Sequence, residues 1–321
     1  FIFDLYKARY NKYYSGSLKS YYFMRYLYKI SDGKLLDYLG VIIKTPSKPD
    51  LFNQSYEILN EIDEQKVNDI NNELLKLNIS TNEEYNQNKP IRFTEISGKQ
   101  EIDYNFYKRF NAVRLNFNIK DILSNKSISE FIIQNDFSSK IEKLIGAKTY
   151  LAGIESWITL PVPEIKKNYE EMTKYQETQR WHRDVDHLRD LKIFIYLNDV
   201  LEEDDGPFEI IQGSNCTEGF NQRNYIDKIK FRISNEFAIK KYKNCVKTIY
   251  GKKGTTFLAD TRAFHRGKII MKKKYRIILM LYYTTHLFGN NKKIDLERNF
   301  ESYEIWSNQI KKNKYISLFN I

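Results

Sequence analysis

Cysteine is scarce in this chain: only Cys216 and Cys245, with no C-x-x-C pair and no zinc-ligand spacing. That excludes zinc ribbons and disulfide-stapled scaffolds. Spacing alone leaves a disulfide between the two open, but nothing in the pattern supports it, so a reducing, cytoplasmic compartment is expected. No apolar run approaches the ~20 residues that span a bilayer, so no membrane span is expected. The N-terminus has no signal-peptide pattern, and its first residue is Phe1 rather than methionine, so the natural start is expected upstream. There are no internal repeats, no arginine-rich stripe and no nucleic-acid-binding motif, so nucleic acid is not an expected partner. Histidine is scarce too, with four in the chain: His182, His187, His265 and His286.

What the chain does have is enough apolar material for a core. Over 321 residues the hydrophobic fraction is 41%, which argues against wholesale disorder. The 25 Tyr and 20 Phe, with abundant Lys, Asn and Ile, read as a base-composition bias of the gene and carry little functional weight. Lysine and arginine exceed aspartate and glutamate by 52 to 41, a net charge of +11. This favours anionic partners, such as a phosphorylated or carboxylated small molecule. The basic residues are scattered, however. Their densest clusters, Lys240–Lys243, Lys252–Lys253 and Lys272–Lys274, read first as solvated faces and loops. Oligomeric state is left open.

Two textures divide the sequence. Residues 1–145 read as mainly helical: Tyr6–Ile30 and Ile58–Leu77 carry apolar residues at helical spacing, and Ser127–Ile145 reads as one or two short helices ending at Gly146. Ser80–Lys89 is polar and reads as a loop. From about residue 147 the pattern predicts short strands over Tyr150–Leu160, Thr178–Asp184, Leu191–Asn198, Phe208–Gln212, Thr255–Ala259, Phe264–Ile270 and Tyr275–Thr285. Turn chemistry such as Asp205-Gly206-Pro207 separates them. Many short strands without long helices between them point to a β-sandwich or barrel. The expected organisation is one catalytic domain over 1–321: a helical region at 1–145, a β core at 146–287 and a C-terminal extension at 288–321. An insertion at 216–250, whose polar, basic stretch is Asn221–Lys247, interrupts the core as either a lid or a surface excursion.

The chemistry concentrates in Gln179-Arg180-Trp181-His182-Arg183-Asp184. On an extended strand His182 and Asp184 point to the same face. An imidazole and a carboxylate so placed can grip adjacent positions of a metal. A second imidazole from a distant strand completes the two-histidine, one-carboxylate face that leaves positions open on iron(II). His265, about 80 residues on, is the natural third ligand. Eleven residues later Arg276 opens the apolar run Arg276-Ile277-Ile278-Leu279-Met280-Leu281. An arginine entering such a strand needs an anionic partner, and its guanidinium fork suits a carboxylate. If the strands of His265 and Arg276 are antiparallel neighbours, Arg276 faces the same cavity as the metal, and the distal carboxylate of 2-oxoglutarate is that partner.

From about Phe137 to Thr285 the sequence resembles the phytanoyl-CoA dioxygenase family of iron(II)- and 2-oxoglutarate-dependent oxygenases. Ser139–Gly146 is similar to the short helix before the barrel. Trp181-His182-Arg183-Asp184 with Leu191–Val200 resembles the metal-binding strand and its neighbour. Gly206-Pro207-Phe208 through Gly213-Ser214 resembles the family's G-P-…-G-S signature, and Gly254–Gly267 the stretch with the second metal histidine. Asn215 stands where members usually have histidine, which is not a ligand position. The resemblance implies a mainly β fold with flanking helices, built on a cupin-like jelly roll, the double-stranded β-helix. It also implies Fe(II) held by His182, Asp184 and His265, 2-oxoglutarate held by Arg276, and hydroxylation of a small organic substrate. Halogenases of this kind replace the carboxylate with a small residue. Asp184 is present, which favours hydroxylation.

Further candidates carry weaker signals. Arg180 shares the parity of His182 and is a candidate to meet an anionic group, or else to form a salt bridge at the strand's mouth. Lys192 and Tyr196 share one face of the next strand, and either suits cosubstrate binding. Thr256 offers a hydroxyl, though threonine is common in strands for packing reasons. Asp186 and His187 are alternative ligands or loop residues near the site, and His286 reads as structural. Trp181, of opposite parity, is expected against the N-terminal helices. Asp260 and Arg262 are expected to pair or to orient the ligands. Two other functions remain open on the residues alone: a cupin-type isomerase or epimerase without redox chemistry, and a catalytically silent binding module.

Overall fold

The computed structural model describes residues 54–80, 91–92, 114–145, 149–161, 177–184, 190–214, 232–271, 274–284, 294–312 and 318–320. Expectations for Tyr6–Ile30, the polar stretch 81–89, Gly146, Asp186, His187, Asn215, Cys216 and His286 fall outside these residues. Cys245 is a free, exposed thiol.

An eight-stranded sheet forms the larger layer. In chain order its strands are β1 (Tyr56–Ile58), β2 (Asn78–Ser80), β3 (Ile91–Arg92), β4 (Arg114–Phe117), β5 (Tyr150–Thr159), β6 (Asp190–Tyr196), β9 (Thr256–Ala259) and β11 (Arg276–Thr284). Across the sheet they run β1-β9-β6-β11-β5-β4-β2-β3, every pairing antiparallel. The central strand β11 is buried along its whole length. Such a strand is covered on both faces and reads as a continuous apolar run, as Ile277–Tyr283 does.

The smaller sheet has the order β10-β7-β8, with β7 at Phe208–Ile211, β8 at Val246–Ile249 and β10 at His265–Gly267. Single bridges extend it past β10: His182 pairs with His265, and Arg232 with His182. From β5 to β11 the chain therefore alternates between layers. It leaves β5 for the His182 segment, returns to β6, runs through β7 and β8, then visits β9, β10 and β11.

Parity decides what each layer buries. Phe194, Tyr196, Phe257, Ile278, Met280 and Tyr282 project from the large sheet onto Phe208, Ile210 and Ile249 of the small one. Phe194, Phe208 and Phe257 form a ring cluster with centroids 5.0 to 5.3 Å apart. Such pairs add about 0.5–1.5 kcal/mol each beyond their buried area. The Tyr196 hydroxyl donates to the Ile249 carbonyl at 2.8 Å and accepts from the Phe208 amide at 2.9 Å, so it bolts the layers together.

The alternate residues, Ile193, Ile195, Ile277, Leu279, Leu281 and Tyr283, face the helices. These are α1 (Glu64–Leu74), α2 (Ile119–Ser124), α3 (Lys126–Gln134), α4 (Ser138–Ile145) and α6 (Tyr303–Lys312). Local chemistry sets where they start. Asp63 caps α1, accepting from the amides of Gln65 and Lys66. Asn118 caps α2, and Asn125 both ends it and caps α3. Each cap is worth about 1 kcal/mol. Trp306 of α6 donates to the Leu123 carbonyl at 3.0 Å, tying the C-terminal segment to this layer. A two-stranded parallel pair, β12 (Ile294–Asp295) with β13 (Phe319–Asn320), completes it.

Four expectations need correction. The strands of His265 and Arg276 are not antiparallel neighbours, because β10 lies in the small sheet and β11 in the large one. The described part of 1–145, expected to be mainly helical, holds four strands of the large sheet beside helices α1 to α4. Thr178–Asp184 is not a full strand: Glu177–Gln179 form a 3-10 turn, and the single bridges at His182 are the only sheet pairing in the segment. The segment read as an insertion contains α5 (Asn235–Tyr242) and the core strand β8. Helix α5 starts at Ser234, whose hydroxyl accepts from the Phe237 amide at 3.1 Å.

Candidate metal centre

The small sheet brings His182 and His265 side by side through two backbone hydrogen bonds. The His182 amide donates to the His265 carbonyl at 3.0 Å, and the His265 amide to the His182 carbonyl at 2.9 Å. Residues paired in this way present their side chains on one face, and the imidazole centroids lie 4.3 Å apart. Asp184 is fixed by its own amide, which donates to the Thr261 carbonyl at 2.9 Å. Its Oδ1 lies 3.9 Å from His182 Nε2 and its Oδ2 3.6 Å from His265 Nε2. One ligand atom from each of the three residues falls within 4.8 Å of the others, as a metal ion requires.

Both rings are oriented in the same way. His182 Nδ1 donates to the Arg180 carbonyl at 2.7 Å, and His265 Nδ1 to the Ala263 carbonyl at 3.0 Å. A carbonyl only accepts, so each Nδ1 carries the proton and each Nε2 presents its lone pair inward. Burial, with the neighbouring His265 second, pushes the His182 imidazole down to about 3. Burial likewise lowers His265. Both are therefore neutral, ligand-competent bases. Burial opposes the charged form of Asp184, but the Lys192 ammonium and then the two histidines outweigh it and hold the carboxyl well below the usual carboxylate range. Two neutral nitrogens and one anionic oxygen suit a divalent first-row metal such as iron(II).

Arg276 opens β11 on the same inner face and is almost fully buried. Its Nη2 donates to Thr159 Oγ1 at 3.3 Å, across from it in register on β5. A Cβ built on Gly267 would stand 2.5 Å from Arg276 Nη2. The guanidinium thus lies over Gly267, two residues along β10 from His265. At about 3.3 Å per residue that is a backbone spacing of roughly 6.6 Å.

The other candidates separate. Lys192 lies in the site, its Nζ donating to Asp184 Oδ2 at 2.5 Å. Arg180 contributes its carbonyl to His182, whereas its guanidinium was the expected part. The hydroxyls of Tyr196 and Thr256, expected at the cosubstrate, serve the backbone instead, Thr256 donating to the Gly254 carbonyl at 3.0 Å. Asp260 and Arg262 form a buried two-pronged pair, with Arg262 Nε on Oδ1 at 2.7 Å and Nη2 on Oδ2 at 2.5 Å. Among the described residues Trp181 is not packed against the helices before residue 146. It packs with Ile211, Ile233, Ala238 and Phe264 on the far side of the small sheet.

Sequence reasoning missed Phe208, whose ring stacks on His265 at 5.5 Å, and Thr159 and Gly267 beside Arg276. Gly267 shares the parity of His265 and was within reach of that argument. Thr159 depends on the β5–β11 register, which no local pattern reveals.

No protein-family model and no curated protein matches the chain. Among solved structures it is similar to HygX from Streptomyces hygroscopicus with nickel and 2-oxoglutarate bound, at 11% identity and a TM-score of 0.46, covering 78% of this chain and 91% of that one. It is also similar to SnoK, a non-heme alpha ketoglutarate dependent carbocyclase from nogalamycin biosynthesis, at 14% identity and a TM-score of 0.43, covering 74% and 83%. A third is EctD from S. alaskensis with 2-oxoglutarate and 5-hydroxyectoine, at 14% identity and a TM-score of 0.41, covering 74% and 76%. Likenesses this distant bear no weight for the chemistry, which rests on the residues themselves.

Proposed function

We propose that this chain is an Fe(II)- and 2-oxoglutarate-dependent oxygenase of the phytanoyl-CoA dioxygenase type, built on a double-stranded β-helix, that hydroxylates a C–H bond of a small organic substrate. The observation that carries the reading is the pairing of two features on one inner face. The His182, Asp184 and His265 donors converge at one end, and the Arg276 guanidinium sits over Gly267, two residues from His265. A metal alone would serve a non-redox cupin equally well. A buried arginine over Gly267, on the same inner face, favours a carboxylate-bearing cosubstrate such as 2-oxoglutarate.

In this reading His182, Asp184 and His265 hold iron on one face, and the bound iron supplies the oxidative chemistry with O₂ and 2-oxoglutarate. The chain's residues do the rest. The two backbone carbonyls fix the histidine tautomers, Arg276 grips the cosubstrate's far carboxylate, and the aromatic wedge of Phe194, Phe208 and Phe257 excludes water from the layer between the sheets. The net charge of +11 supports a substrate bearing carboxylate or phosphate. The exposed Cys245 thiol fits a reducing compartment.

The test is succinate formation from 2-oxoglutarate by purified protein. It should require Fe(II), and His182→Ala should reduce it to background. Succinate at equal rates with and without the histidine, or no coupling to Fe(II), would overturn the reading.

A further inference from the structure

We propose that Lys192 is a positioning residue that restricts Asp184 to one-oxygen ligation and so keeps open the coordination positions the cosubstrate needs. The proposal rests on the metal reading above.

Lys192 lies in the middle of β6, paired with Tyr282 of β11 on one side and Ala259 of β9 on the other. Its ammonium lies 5.2 Å from the Tyr282 ring centroid, and the residue is 9% exposed. From there it donates to Asp184 Oδ2 at 2.5 Å. The backbone of Asp184 is already held by the Thr261 carbonyl. The carboxylate is therefore fixed at its root and at one of its two oxygens.

A carboxylate can bind a metal through one oxygen or both. Through both, it takes two of six positions, and a face meant to leave three open leaves two. A chelating cosubstrate needs two and O₂ a third. Oδ2 lies 3.6 Å from His265 Nε2 but already accepts from Lys192, so Oδ1, 3.9 Å from His182 Nε2, is the oxygen with its full donor capacity left for a metal. The arrangement carries an electrostatic penalty, because a buried ammonium beside the site repels a divalent cation. Removing the charge would tighten metal binding, and so would freeing Oδ2 to ligate, but only the second changes the metal's coordination and takes a position from the cosubstrate. The absorption band and the 2-oxoglutarate affinity separate the two effects.

The experiment titrates the intact metal-free protein with Co(II), following its visible absorption, then adds 2-oxoglutarate under nitrogen and measures its affinity by calorimetry. Lys192→Met should bind Co(II) at least as tightly as wild type, with a displaced absorption band and 2-oxoglutarate binding weakened about 10-fold or more. Lys192→Arg, which keeps a charged donor, should restore the wild-type band. Lys192→Gln keeps a donor without charge, guards against a misfolded Met variant, and should retain the band. An unchanged band and unchanged 2-oxoglutarate affinity in Lys192→Met, whether Co(II) binds more tightly or not, refutes the positioning role and leaves the metal centre standing. Failure of the metal reading looks different: wild type and His265→Ala would take up Co(II) alike.

Discussion

The two faces of the small sheet are built from alternate residues of the same strands, yet their polar groups behave in opposite ways. On the outer face the charges satisfy one another. Arg266 Nε donates to Glu209 Oε2 at 2.6 Å, its Nη1 donates to Asn235 Oδ1 at 2.8 Å, and its guanidinium lies 4.4 Å from the Trp181 ring centroid. On the inner face two neutral imidazoles and one carboxylate converge so that their free lone pairs point at a common spot. A closed network stabilises a fold; a set of inward lone pairs is a set of ligands. The difference between structural and functional charge is here one residue of strand parity.

His265 and Arg266 are chain neighbours on opposite faces, so a pair of single substitutions tests the contrast most severely. His265→Ala should abolish metal-dependent succinate formation, while the metal-free protein melts within a few degrees of wild type. Arg266→Met leaves the buried Glu209 with only Lys268, at 3.9 Å, and the Thr248 hydroxyl, at 3.5 Å, and should cost about 1–3 kcal/mol of stability. At a temperature where it is still folded, it should bind Co(II) as wild type does. Denaturant melts and Co(II) titrations of both variants decide the matter. If Arg266→Met lost metal affinity as steeply as His265→Ala, the two faces would not be independent.

Next in size is the Arg276 end of the cavity. Gly267 has no left-handed backbone conformation, so alanine is disfavoured there only by space. Its Cβ would press on the guanidinium. Gly267→Ala should raise the KM for 2-oxoglutarate about tenfold or more, the worth of one hydrogen bond to a charged group, and Arg276→Met at least as much. Co(II) affinity without cosubstrate should stay at the wild-type value in both. A Gly267→Ala enzyme with unaltered KM would place the cosubstrate elsewhere.

Much of this site was legible because it depends on local parity. His182 and Asp184 two residues apart, His265 on a later strand and Arg276 at the head of an apolar run are all visible without coordinates. What escaped depends on register and on short edges. Strand β8 has four residues and comes after a lysine-rich helix, so it reads as the end of a surface excursion, yet the small sheet pairs it with β7. Strands β1 and β2 have three residues each, too few to show alternation. Lys192 was visible as an inward lysine, but its partner was not, because the link to Asp184 crosses from one layer to the other. Trp181 was assigned to the wrong side because its covering helix, α5, lies in the segment read as an insertion.

The smallest effect concerns pH, and it tests whether the inner face is as closed to protons as the geometry says. In the folded, metal-free protein His182 stays neutral down to about 3, whereas its ordinary value is 6.5. As pH falls below 6.5 the unfolded chain takes up a proton that the folded one refuses, so stability falls with pH across that interval and is flat above it. The slope for one such proton is at most about 1.4 kcal/mol per pH unit. Asp184 adds a loss of the same sign, since its carboxyl is held low in the fold, but only once pH reaches the ordinary carboxylate range near 4. His265, lowered by the same burial, adds a loss of the same sign below 6.5, so between 6.5 and about 4 the two histidines stand apart from the carboxylate. His182→Gln, compared with wild type in metal-free denaturant melts, should lose less stability per pH unit in that window and run parallel to it above 6.5. Parallel curves throughout would mean that the His182 ring takes up protons in the folded state as readily as it does in water.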